Sequence, residues 1–277
     1  MSYKTIMVCL NEVSANDRLL EVARTLAAKF KSHVKGLYVI PGVQLYAGVA
    51  AGMGPITYDG YRVYFEKQLP KVKEAFESAM RADGLAFDFQ SVDSSQPDLA
   101  TVVVDNSRSA DLVIMASGSR KAEDGAIDEA LVELVAIGAG RPVLVVPDQG
   151  PFKFSMDDIT LGWNDSREAA RAAYDALPLL KAAKMVRVVS VDNKQHGSVP
   201  GADLADTLAR HGVKAEVSKI ASDGMGAGGA LLQAANDAGS GLLVMGCYGH
   251  SRLTELVFGG STRHVLSNLD RAVLLSH

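Results

Sequence analysis

A chain of 277 residues, 48% hydrophobic and 22% charged, can build one large α/β domain or two of ordinary size, which excludes a disordered tail or a coiled coil. A formal charge of −4 at pH 7 leaves no broad positive field, so nucleic acid and anionic lipid surfaces are not expected as partners and any phosphate must be held locally. The start, Met1 to Tyr3 and then Thr5-Ile6-Met7-Val8, lacks the basic lead and long apolar stretch of a signal peptide, and no apolar run reaches ~18 residues. A cytoplasmic protein without membrane insertion is therefore expected.

In chain order, the first predicted strand is Thr5-Ile6-Met7-Val8-Cys9-Leu10, which ends in Asn11 and leads into a helical pattern. Cys9, among apolar neighbours, reads as a small buried strand residue, and its distance in sequence from Cys247 rules out a C-x-x-C redox or zinc pattern. From Pro41 to about Tyr64 runs a Gly- and Tyr-rich segment containing Tyr46, Tyr58, Tyr61 and Tyr64. The apolar runs Ala110–Met115 and Arg141–Val146 follow, then Pro147-Asp148-Gln149-Gly150-Pro151, whose turn-forming and helix-breaking residues mark a linker.

In the second half, strands are predicted near 159–163, 186–191, 214–220, 242–246 and 272–276. Helices are predicted over Ser166 to Lys181, Ala202 to His211 and Ala230 to Ala238. This half repeats the first. Ala110–Met115 and Arg141–Val146 recur as Gly241–Met245 and Arg271–Leu275 at a constant shift of 130, whereas Thr5–Asn11 recurs as Ile159–Asn164 at a shift of 153. The first half thus holds 23 extra residues, which fall in the Tyr-rich segment, and a repeat of this length is a duplicated domain.

Strands alternating with amphipathic helices imply a parallel sheet with helices on both faces and right-handed crossovers. The predicted fold is α/β: two flavodoxin-like, Rossmann-like domains of five parallel strands each, over 1–147 and 152–277. Ligands of such sheets lie outside the C-terminal ends of the strands, where the strand order reverses.

The fourth strand of the second half runs into Gly246-Cys247-Tyr248-Gly249, nine residues, and then Gly259-Gly260-Ser261-Thr262 opening a helix. Unpaired N–H groups at a helix start accept an anion without help from a basic protein, and glycine lets the backbone approach it closely. With this spacing the sequence resembles the universal stress protein family in its nucleotide-binding branch, whose signature is Gly-x-x-Gly, nine residues, Gly and Ser or Thr. The first turn Asn164-Asp165-Ser166-Arg167-Glu168-Ala169-Ala170 resembles the family's as well.

The resemblance implies an adenine nucleotide alpha hydrolase-like fold and ATP as ligand of the second domain. Gly246 and Gly249 would line ribose and phosphates, the Gly259–Ser261 backbone would cradle the phosphate chain, Asn164 would contact the nucleotide and Val191 would touch adenine. Two positions depart from the pattern: Gly260 stands where the hydroxyl residue is expected, with Ser261 and Thr262 displaced, and Asn164 replaces an acid. His250, Arg252, Arg263 and His264 surround the loop, and guanidinium makes the two arginines the better phosphate partners, with solvated polar residues as the alternative.

At the 130 shift the first half has Ala116 for Gly246, Ser119 for Gly249, and Glu129-Ala130-Leu131 for Gly259-Gly260-Ser261. A carboxylate at the helix start repels phosphate and Leu131 hinders close approach, so this half is not expected to bind triphosphate. Its Tyr-rich segment is a candidate site for another ligand, or the half is structural.

Other signals are weaker. Gly224-Met225-Gly226-Ala227-Gly228-Gly229 matches G-x-G-x-x-G, but it follows the third strand and no acid ends the next one, so it reads as a glycine-rich turn. Asp165 is placed to hold Mg²⁺ through water, although a first-turn Asp more often caps its helix. No P-loop, His-Glu-x-x-His or Gly-x-Ser-x-Gly motif occurs, and no catalytic residue or metal ligand set is assigned.

The last strand of each half, Val143–Val146 and Val273–Leu275, is apolar, and an exposed apolar edge seeks a partner. The resemblance implies that these strands pair the halves as an intrachain pseudo-dimer, with homodimerisation and an unidentified protein partner as further expectations. The leading functional expectation is a stress-response regulator that binds ATP. The alternatives are a slow Mg²⁺-dependent ATPase and a scaffold that binds no nucleotide.

Overall fold

The computed structural model describes residues 2–42, 44–46, 56–58, 60–94, 99–118, 129–192, 199–248 and 260–277. It divides into two compact units, Tyr3–Val135 and, with Ser2, Ala136–His277.

The first unit holds β1 (Thr5–Cys9), a 3-10 turn (Val13–Ala15), α1 (Asn16–Phe30), β2 (His33–Ile40), β3 (Gln44–Tyr46), β4 (Ile56–Tyr58), α2 (Gly60–Ala82), β5 (Phe87–Asp93), α3 (Leu99–Ser107) and β6 (Leu112–Ala116). The division between the units falls within α4 (Glu129–Gly138). The second unit continues with β7 (Val143–Val146), β8 (Asp158–Gly162), α5 (Arg167–Asp175), α6 (Leu177–Ala182), β9 (Met185–Val191), α7 (Ala202–Arg210), β10 (Ala215–Ile220), α8 (Gly226–Asp237), β11 (Leu242–Gly246), α9 (Ser261–Ser267) and β12 (Ala272–Ser276).

In the first unit β5-β2-β1-β6 lie in that order and are parallel, apart from the separate pair β3–β4. In the second unit β10-β9-β8-β11-β12 are parallel, an arrangement of third, second, first, fourth and fifth strand that is the Rossmann-type order. β7 joins the second unit antiparallel to β12, with Leu144 opposite Leu274. The fold is thus α/β and mostly parallel, as the alternation of elements predicts.

Central strands read as unbroken apolar runs because helices cover both of their faces. All five residues of β6 and of β12 are buried, whereas the outer strands β5 and β10 alternate. The expected strands of the second half each lie within one residue of those observed.

Two helices differ from expectation. The stretch Ser166 to Lys181 is broken at Ala176, because Pro178 lacks an amide hydrogen and its ring opposes the carbonyl one turn earlier, so α5 ends and α6 begins there. α8 starts at Gly226, a turn before the predicted Ala230, which places Gly228 and Gly229 inside a helix. The glycine-rich segment is therefore a turn at Gly224 that runs into a helix start from Gly226. Within the Tyr-rich segment β3 and β4 pair antiparallel, with Gln44 opposite Tyr58, and α2 begins at Gly60.

Candidate functional site

Three adjacent parallel strands, β9, β8 and β11, end on one edge of the second unit's sheet, and α9 packs on α8 with Ser261 against Gly228. The order reverses between β8 and β11: α5, which follows β8, packs on β11 and β12, while α8 packs on β8 and β9. Such a reversal opens a crevice at the strands' C-terminal ends. Of the predicted site residues, Asn164 and Asp165 leave β8 at this edge, Val191 ends β9, Gly246 ends β11, Gly260 precedes α9, and Ser261 and Thr262 open it. Gly249, His250, Arg252 and Gly259 lie outside the described residues.

Local chemistry sets the turn after β8. The Asn164 side chain is exposed and its Oδ1 accepts the Ser166 N–H at 3.3 Å. Asp165 adopts a left-handed φ of 60°, and Ser166 caps α5 by accepting the Ala169 N–H on its Oγ at 3.1 Å. The cap is thus Ser166, and Asp165 stands outside the helix.

Glu168, in the first turn of α5, is buried. Burial pushes its carboxyl up, but its own backbone N–H and the Arg167 guanidinium at 3.0 Å outweigh this, leaving it below the usual carboxylate range. An ionised acid thus sits at the positive end of α5. The first turn of α9 contains no acid, and Gly260 makes no side-chain cap. Ser261 is partly exposed, whereas Thr262 is 3% exposed and belongs to the core.

Two glycines account for the packing around this edge. A β-carbon on Gly246 would lie 2.4 Å from the Glu168 carbonyl carbon, and one on Gly228 would lie 2.6 Å from the Ser261 carbonyl oxygen. Glycine thus lets α5 seat against the end of β11 and α8 seat against the start of α9. His264 turns its ring toward Gly229, with Nε2 3.3 Å from a β-carbon built there, and Arg263 is exposed. Cys247 and Tyr248, which sequence reasoning passed over, are buried. The Cys247 N–H donates to the Ser276 carbonyl at 2.9 Å, and Tyr248 takes a φ of 55°.

The corresponding edge of the first unit is built differently. Asn11, 2% exposed, donates from Nδ2 to the Val39 carbonyl at 2.7 Å and accepts the Val39 N–H on Oδ1 at 3.0 Å. Glu12 is buried beside it and accepts from Ser14 Oγ at 2.5 Å. Ala116 ends β6 where β11 has Gly246, Glu129 opens α4, and Leu131 is 6% exposed in the core. Sequence reasoning read Asn164 as a nucleotide contact and Asn11 only as a mark of the repeat; the tertiary pairing with β2 that separates them leaves no local pattern.

Among the described residues no cluster of three or more His, Cys, Asp or Glu is arranged to hold a metal, and no helix is long and apolar enough to cross a membrane.

The profile of the universal stress protein family matches residues 2–147. No curated protein matches the chain by sequence. Among solved structures, the chain is similar to a universal stress protein from Archaeoglobus fulgidus DSM 4304, with a TM-score of 0.67 at 15% identity, covering 100% of this chain and 96% of that one. It is also similar to a functionally unknown protein from Pseudomonas aeruginosa PAO1, with a TM-score of 0.62 at 14% identity, covering 99% of this chain and 92% of the other. These likenesses establish the shared fold over the whole length. The family profile spans more than half of the chain, and the chain belongs to the universal stress protein family.

Proposed function

We propose that the chain is a stress-response regulator that binds ATP, or a related adenine nucleotide, in its C-terminal repeat. One observation carries this reading: the Gly246–Thr262 motif connects β11 to α9 at the point where a Rossmann-type sheet reverses, and the first turn of α9 is free of acids. The backbone amides from Gly259 to Ser261 meet the phosphates, with Gly246, Gly249, Gly260 and Thr262 shaping the loop and His250 and Arg252 beside it. Asn164 meets the sugar side, the Val191 backbone meets adenine, and Asp165 holds Mg²⁺ through water where the nucleotide brings it.

The repeats correspond to 1–147 and 152–277, and the antiparallel β7–β12 pair supports an intrachain pseudo-dimer. Homodimerisation and capture of a protein partner are the outputs such a regulator would control. The N-terminal repeat does not take triphosphate, since Glu129 opens its α4 and Leu131 fills its core.

Isothermal titration of the full chain with ATP, alongside a phosphate-release assay, tests this. The expected result is binding without sustained turnover, lost in Gly259→Asp. Steady Mg²⁺-dependent release abolished by that substitution would make the protein a slow ATPase, and absence of binding in the wild type would leave the scaffold reading.

A further inference from the structure

We infer that Asn11 determines which repeat accepts adenine, because its carboxamide already occupies in the N-terminal repeat the backbone position that adenine would use in the C-terminal one. This rests on the proposal above that adenine meets the Val191 backbone.

The two strand ends correspond. The Leu10 N–H donates to the Leu37 carbonyl at 2.9 Å and the Trp163 N–H to the Val189 carbonyl at 2.8 Å, so Val39, two residues beyond Leu37, matches Val191, two beyond Val189. Peptide groups along a strand alternate between its two neighbours. Since the Val189 carbonyl faces β8 and the Asp192 N–H donates to the Ile220 carbonyl on β10, Val191 presents both its N–H and its carbonyl toward β8, past that strand's last residue. Val39 presents the same pair past the end of β1.

In the N-terminal repeat one side chain satisfies both groups. Asn11 Nδ2 donates to the Val39 carbonyl at 2.7 Å while Oδ1 accepts the Val39 N–H at 3.0 Å, and the side chain is sealed at 2% exposure. A carboxamide offers a donor and an acceptor side by side. Adenine offers the same pattern, an exocyclic amino N–H next to a ring nitrogen.

In the C-terminal repeat the matching Asn164 turns away. It is exposed and its Oδ1 accepts from Ser166, and among the described residues no side chain hydrogen-bonds to the Val191 backbone. The same residue type thus closes one strand end and leaves the other open. A buried pair also resists displacement, because removing it orphans two backbone groups unless the incoming ligand replaces both bonds.

The test is amide NMR of the full chain with valine ¹⁵N labelling and adenosine as the probe, since a nucleoside avoids any phosphate repulsion at Glu129. In the wild type, adenosine is expected to shift the Val191 amide and leave Val39 unmoved, with one adenosine bound per chain. In Asn11→Ala both amides respond, stoichiometry rises to two, and adenosine recovers part of the melting temperature lost on substitution. If the alanine variant does not fold, Asn11→Ser, which also removes the paired donor and acceptor while keeping a polar side chain, replaces it. A Val39 response in the wild type, or a silent Val39 in the folded variant while Val191 responds, overturns the inference and leaves the proposed function standing. Silence at Val191 throughout removes the adenine reading itself, and this inference with it.

Discussion

At Gly246 a single hydrogen separates the end of β11 from the first turn of α5. A methyl group there would meet backbone atoms of Glu168 and Ala169 at 2.4 and 2.5 Å, which no side-chain rotation relieves. Gly246→Ala should therefore destabilise the protein by about 1–3 kcal/mol through overpacking, read as a lower urea midpoint at unchanged m-value; an unchanged midpoint would show that α5 yields freely. Cys9 tests burial in a different way. Desolvation pushes its thiol up to about 11 from an ordinary 9.0, against a smaller lowering by its hydrogen bond at Asn11. A pKa raised in the folded state contributes stability below the unfolded value and loses it as pH rises through the folded one, here between about 9 and 11. Across that window the wild type should lose about 2 kcal/mol more than Cys9→Ala, measured by urea unfolding at each pH, and a constant difference between the two would contradict it. Cys9 was legible as a buried strand residue from its neighbours alone. The roles of Asn11 and Asn164 were not, because they depend on a backbone partner 28 residues away for Asn11 and on a local turn for Asn164.

Helices and strands were legible wherever local pattern and tertiary demand agree. Buried parallel strands are continuous apolar runs, and the strands of the second half were recovered to within a residue. Where a tertiary contact overrides local preference the sequence misleads. The run Gly226-Ala227-Gly228-Gly229 has poor helix propensity and reads as a turn, yet it forms the first turn of α8, where Gly228 and Gly229 let the helix close on Ser261 and His264. Gly228→Ala separates the two effects. Helix propensity alone predicts a gain of about 1 kcal/mol, whereas the 2.6 Å approach to the Ser261 carbonyl oxygen predicts a net loss, together with weaker ATP binding because α9 opens at Ser261. Higher melting temperature with unchanged affinity in that variant would contradict the packing account. The Tyr-rich segment was singled out by the mismatch between the 130 and 153 shifts, but the pairing of β3 with β4 was not foreseen, since each is only three residues long.

Across the whole chain, the two halves of the proposed duplication carry different sequences at the C-terminal ends of their strands. The family profile matches residues 2–147, while the glycine-rich motif proposed to meet phosphate lies in the other half. On the proposed reading, the buried Asn11–Val39 pair seals the strand end of the half that takes no nucleotide. The most direct measurement is native mass spectrometry of the full chain titrated with ATP, for the wild type, Gly259→Asp and Glu129→Lys. The account predicts one nucleotide per chain, absent in Gly259→Asp and retained in Glu129→Lys. Nucleotide kept at full occupancy in Gly259→Asp but lost on substitution at Glu129 would place the site in the wrong repeat and contradict it.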